Sequence, residues 1–199
     1  MSRASTMDER RTRILEAAIA VLAREGIAET TTRKIADKAG VNQAMLRYYF
    51  GSKDDLLFAV LQEMMHQTRE IVQQSTLSGK GVRALLLEGL LGFWRHFESQ
   101  TELQVMQYEL TLYALRNPAS AWLARQQYDG YCAVVEALLL EGFARAGQNS
   151  VVPLPELARF VVAGIDGLIL QFISAPDPER ARRDLEHLVN AVIALAGGI

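Results

Sequence analysis

The chain has 199 residues, of which 50% are hydrophobic and 22% charged, and a single cysteine. Those fractions exclude a disordered chain or a fibrous repeat, and one cysteine, Cys132, excludes an intrachain disulfide scaffold and suits a reducing compartment. The net charge of −2 hides an asymmetry: through Lys53 there are ten Lys or Arg against six Asp or Glu, and beyond it eleven against seventeen. A basic head on an acidic body predicts that the head meets a polyanion. The N-terminal MSRASTMDERRTR has no apolar run behind its basic residues, and nowhere do eighteen apolar residues run together. Neither a leader nor a membrane span is expected, and the cytoplasm is the predicted compartment.

Apolar spacing is helical nearly everywhere, with no clean period-two alternation, so an all-α fold is predicted. Thr6, with Glu9 at the capping-box position, opens a first helix through Ile14, Leu15, Ala18, Val21 and Leu22 to Gly26. Thr31 caps a second, short helix that Gly40 ends, and Asn42 caps a third from Gln43 to about Tyr49. Ser52, with Asp55 three residues on, begins a fourth that reaches about Gln74, where SerThrLeuSerGlyLysGly makes a flexible link. Residues 82–98 are apolar around most of the helix and should be buried. Residues 103–116 follow. Asn117 and Pro118 open a long helix that Gly147 closes, Pro155 opens another to about Ser174, and Asp177 with Pro178 opens the last. Two unequal units are expected: 1–51, a connecting helix 52–74, and 75–199.

Residues 31–50, TTRKIADKAGVNQAMLRYYF, hold the most information. Two short helices joined by a glycine turn make a helix-turn-helix if they pack through small residues, here Ala36 and Ala39. Ile35, Val41 and Leu46 supply the core between them, leaving Arg33, Gln43, Ala44, Arg47 and Tyr48 to point outward. An exposed helix with amide, guanidinium and phenol groups suits a DNA major groove.

The stretch from Arg10 to about Leu61 resembles the DNA-binding head of the tetracycline-repressor (TetR) family. The resemblance rests on Gly26, on Thr31 and Thr32 leading to Ile35 and Ala36, on Ala39, Gly40 and Val41, on Tyr48, Tyr49 and Phe50, and on Ser52, Lys53 and Leu56. It implies operator contacts from Thr31, Thr32, Arg33, Asn42, Gln43, Ala44, Arg47, Tyr48 and Lys53, with the N-terminal ends at Thr31 and Asn42 facing phosphates. Arg47 stands where many members have a phosphate-contacting tyrosine, and Ala44 where glycine is common. These departures bear on which operator is read, since arginine holds a phosphate or reads guanine. Tyr49 and Phe50 are expected in the core.

His66, His96, His187 and Cys132 have no metal-ligand spacing, and no catalytic or phosphate-loop motif is complete, so neither a catalytic residue, a metal nor a cofactor is expected. The final two helices are rich in apolar residues, and Phe160, Gly164, Ile165, Leu168, Leu188 and Val192 are the expected dimer interface. The resemblance implies a four-helix bundle between two subunits. Asp166 is expected to be a structural hydrogen-bond or interface group.

In the helix at 103–116, Glu109 lies among apolar neighbours, and its carboxylate is expected to face the interior. It either pairs with Arg95 or His96, or lines a pocket with Phe93, Trp94, Met106, Tyr113, Tyr128 and Phe172 that takes a largely apolar molecule. The function expected is a homodimeric, ligand-responsive repressor of a double-stranded DNA operator. A constitutive or architectural regulator of the same fold is the alternative.

Overall fold

In the computed structural model, residues 3–75, 81–116 and 118–198 are described, and among them nine helices and no strand are found. These are α1 (Arg3–Glu29), α2 (Thr32–Ala39), α3 (Gln43–Phe50), α4 (Lys53–Ser75), α5 (Val82–Ser99), α6 (Thr101–Arg116), α7 (Ala121–Ala146), α8 (Leu154–Ser174) and α9 (Pro178–Leu195). Most of the expected link, 76–80, lies outside the described residues, as does Asn117.

Two helix starts differ from expectation by more than two residues. α1 begins at Arg3, so Thr6 lies inside it and does not open it. α7 begins at Ala121, after a turn at 118–120. Ser120, itself a favoured cap residue, precedes it, and its carbonyl accepts a 2.9 Å bond from Leu123 N–H. At Gly26 the α1 backbone leaves helical geometry, with φ 72° and ψ 171°, before a last turn through Glu29.

By packing, the chain forms two compact units, each drawn from two stretches of sequence. Unit 1 comprises Met1–Met64 with Gln100–Gln127; unit 2 comprises Met65–Ser99 with Tyr128–Ile199. The reason lies in α6. Met106, Leu110 and Ala114 recur every four residues, making one apolar stripe, and they are buried in the same cluster as Ile14, Leu22, Ile35, Leu46 and Leu57. α6 therefore packs on α1 and completes the head core.

In unit 2, α5 is buried through Leu85, Leu86, Leu90, Trp94 and Phe97 and packs on α9, which packs on α8. Two glycines permit close approach. A Cβ on Gly142 would lie 2.9 Å from Val82 Cα, and one on Gly164 would lie 2.5 Å from Leu188 Cδ1. Gly164 and Leu188, expected between subunits, thus meet within one chain. Val192 is fully buried and Ile165 nearly so, which makes both core residues of unit 2 and not interface residues. Leu168 is half-buried, and Phe160 is exposed, as are Leu170 and Leu195. α8 is long and apolar enough to cross a membrane by length and composition. Its six buried residues, from Leu157 to Ile169, are instead packed into unit 2.

Candidate nucleic-acid interface

The interface is built from helices too short to stand alone, so their ends carry the geometry. Thr31 is extended, and its hydroxyl accepts from Lys34 N–H at 3.2 Å; Asn42 is likewise extended, and its Oδ1 accepts from Met45 N–H at 2.9 Å. Between the helices Gly40 adopts the left-handed conformation, φ 65° and ψ 38°, and Val41 N–H returns to the Ala36 carbonyl at 3.0 Å. At α4 the expected capping box is present. Ser52 N–H donates to Asp55 Oδ2 at 3.0 Å, and Asp55 N–H donates to Ser52 Oγ at 3.1 Å. The hydrogen bond from the Ser52 hydroxyl holds the exposed Asp55 carboxyl below its usual range.

These ends fix which side chains face outward. Ile35, Ala36, Ala39, Leu46 and Phe50 are buried, as the pattern predicted, with Val41 and Tyr49 partly buried against them. On α3, Gln43, Ala44, Arg47 and Tyr48 are exposed, and their spacing places them on one face; Tyr48 is 72% exposed. Thr31, Thr32, Arg33 and Asn42 are exposed as well, and the Arg33 guanidinium lies 3.9 Å from the Asp37 carboxylate one turn on. An open groove of about 600 Å³ is lined by Thr32, Gln43, Arg47, Ser52 and Lys53, among others.

Not every cation of the head points outward. Lys53 is half-buried, and its ammonium donates to the Thr30 carbonyl at 3.0 Å, which leaves two of its three N–H donors for another acceptor. Lys34 pairs with Glu25 at 2.8 Å and donates to the Glu29 carbonyl at 2.8 Å. The hydrogen bond from Lys34, reinforced by Arg24, keeps the Glu25 carboxyl below its usual range. Arg11 of α1 sits over the Phe50 ring, 5.0 Å from its centroid.

The seven residues expected to line a ligand pocket separate by unit. Met106 is buried in the head core. Tyr113 donates to Asp54 Oδ1 at 3.3 Å. Glu109 is exposed rather than interior, and the bond its carboxylate makes is from Ile27 N–H, 3.1 Å to Oε2, in place of the Arg95 or His96 partner expected. Residues 27 and 109 are far apart in sequence, and no local pattern links them. In unit 2, Trp94 stacks edge-on with Phe97 and Phe172, at centroid separations of 5.0 and 5.5 Å, and Phe93 is half-buried. Tyr128 donates to Asp166 Oδ2 at 2.9 Å, the structural role expected of Asp166. Burial, then the Asp166 charge, pushes the Tyr128 phenol well above its usual value. Among the described residues no cluster of His, Cys, Asp or Glu could hold a metal ion.

Comparison with known proteins agrees with this architecture. The chain is 30% identical over 196 residues to the nicotine-responsive transcriptional repressor HdnoR of Paenarthrobacter nicotinovorans, covering 98% of this chain and 99% of that protein. It is 26% identical to the fatty acid metabolism regulator of Bacillus subtilis, covering 92% and 91%. The multidrug-binding protein EbrR, crystallised with imidazole, superposes with a TM-score of 0.64 at 29% identity, over 90% of this chain and 94% of that one. Residues 14–60 match the N-terminal model of the tetR family of bacterial regulatory proteins, and 81–195 match a tetracycline-repressor-like C-terminal domain. With a helix-turn-helix whose recognition face is exposed and polar, and with both halves matched, the chain belongs to the TetR family of DNA-binding transcriptional regulators.

Proposed function

We propose that the chain is a homodimeric, cytoplasmic repressor that occupies a palindromic operator and leaves it when a small, largely apolar molecule binds, with no chemistry performed. The observation that carries this reading is the exposed face of α3. Gln43, Arg47 and Tyr48 stand together on a helix whose other side is buried, and the caps at Thr31 and Asn42 present helix N-termini beside it. Arg47 is the residue best suited to reading a guanine; Thr31, Thr32 and Arg33 serve phosphates, with Lys53 shared between phosphate and the Thr30 carbonyl.

Dimerisation is supported by the outer faces of α8 and α9, where Phe160, Leu170 and Leu195 are exposed at 42%, 51% and 45%. Ligand response is supported by the nicotine response of HdnoR and by the aromatic cluster of Trp94, Phe97 and Phe172.

Selection of bound fragments from random duplex DNA tests the reading. Two half-sites separated by about 10–10.5 bp, or a multiple, are expected. Arg47→Ala should lose about 1–3 kcal/mol on the selected operator and relax one position. Phe160→Glu combined with Leu170→Glu should give folded monomers with weak operator binding, since only linked heads gain the second half-site at high effective concentration. Equal affinity of the wild type for selected and scrambled duplexes overturns the proposal. A compound panel beginning with nicotine then tests release.

A further inference from the structure

The polar bonds around the break in α1 form a connected path. Gly26 takes φ 72° and ψ 171°, a conformation open essentially to glycine alone, and the next amide, Ile27 N–H, opens a new turn, a position for which helix geometry provides no acceptor one turn back. Glu109 supplies that acceptor from α6, at 3.1 Å. A Cβ on Gly26 would meet the same carboxylate oxygen at 3.0 Å, so the missing side chain is what lets Glu109 close on the backbone. The path continues through the head. Thr30 Oγ donates to the Gly26 carbonyl at 2.6 Å, and Lys53 Nζ donates to the Thr30 carbonyl at 3.0 Å. Thr30 directly precedes Thr31, the cap of α2, and Lys53 is the first residue of α4. One turn along α6, Tyr113 grips the second residue of α4 through its bond to Asp54. Thus α6 holds the last turn of α1, which leads into α2, and the start of α4, and α2 and α4 are the helices that flank the recognition helix.

We infer that Glu109, with Tyr113 in support, is a positioning residue for operator binding: its carboxylate serves as the acceptor that fixes the α1–α2 connection, although it belongs to neither DNA-facing helix. This rests on the reading of the head as the operator-binding unit. Side-chain caps of this kind govern helix starts strongly enough that removing one is worth about two- to thirtyfold in an equilibrium. The sign separates the inference from simple electrostatics. Removing the negative charge of Glu109 favours binding to any polyanion, whereas loss of a positioning bond weakens the operator selectively.

The experiment compares wild type, Glu109→Ala, Glu109→Gln and Tyr113→Phe in the full chain, by affinity for the selected operator and for a scrambled duplex, by thermal melting, and by amide hydrogen exchange at Ile27. Glu109→Ala should speed exchange at Ile27 and weaken operator binding about tenfold, while binding to scrambled DNA holds or rises. Glu109→Gln removes the same charge but retains an acceptor oxygen, and should keep operator affinity within about threefold of wild type. Unchanged exchange at Ile27, or operator affinity in Glu109→Ala equal to or above wild type, overturns the inference. Should Glu109→Ala fail to fold, Tyr113→Phe decides: a loss of about threefold on the operator, with melting that shows the variant still folded at the binding temperature, is expected, and no loss overturns it. A wild type that selects no duplex overturns the operator-binding reading itself, while exchange at Ile27 still reports whether Glu109 holds the connection.

Discussion

In unit 1 the two eight-residue helices, α2 and α3, begin on side-chain caps at Thr31 and Asn42 and end on glycines with positive φ, Gly40 and Gly51. In unit 2, α8 runs 21 residues with no side-chain hydrogen bond at its N-terminus, and six of its residues are buried. The contrast follows from length. An eight-residue helix has too few internal bonds to offset its nucleation cost, so its ends must be specified; a long apolar helix is held by the surface it buries. The short helix α3 therefore keeps its outward face free for polar side chains, whereas the long helix α8 carries apolar residues on both sides, with Phe160 and Leu170 left exposed.

The comparison is broken most directly in the body. Leu185 of α9 has no exposed surface, and Leu185→Ala should cost about 2–5 kcal/mol through lost burial and the cavity left behind. Urea unfolding followed by Trp94 fluorescence, in a Trp122→Phe background, reads this; a cost below about 1 kcal/mol would mean that burial does not hold unit 2 as described. The matching change in the head is smaller. Asn42→Ala removes the acceptor that Met45 N–H uses, and about 1 kcal/mol of local stability is expected to go with it. Amide exchange within α3 should then accelerate while α5 and α9 are unaffected. Equal acceleration in both units would remove the distinction between them.

This difference also explains what was legible in the sequence. Caps are local, so Thr31, Asn42, Ser52 with Asp55, and Asp177 could be placed from a few letters each, and Asp177 does accept from Arg180 N–H at 3.0 Å. The α3 face was legible because the apolar residues there are few and fall on one side. α6 was not. Val105, Leu112 and Leu115 are exposed while Met106, Leu110 and Ala114 are buried, so apolar residues lie on both faces and hydropathy cannot say which one packs. That ambiguity turned Glu109 inward. The same excess misdirected Val192 and Ile165, apolar residues in helices with apolar residues on both faces. The start of α7 failed because Asn117 and Ser120 are both competent caps three residues apart.

Two tyrosines sharpen the comparison at its finest grain. Tyr113 in unit 1 and Tyr128 in unit 2 each donate to a carboxylate, Asp54 and Asp166, and in each case burial first, then the carboxylate charge, pushes the phenol above its ordinary value near 10. The larger displacement is at Tyr128. A raised phenol favours the folded state while the unfolded chain would still be protonated, so its contribution is complete below pH 10 and is lost as the pH rises towards the folded value, because the unfolded chain releases its proton first. Melting of the wild type should therefore fall between about pH 10 and 11.5, where tyrosine in an unfolded chain ionises. Tyr128→Phe should flatten that fall more than Tyr113→Phe does, while also losing the Asp166 hydrogen bond at neutral pH. The two variants melt with the same alkaline slope only if the phenol in the body is no better shielded from water than the one in the head.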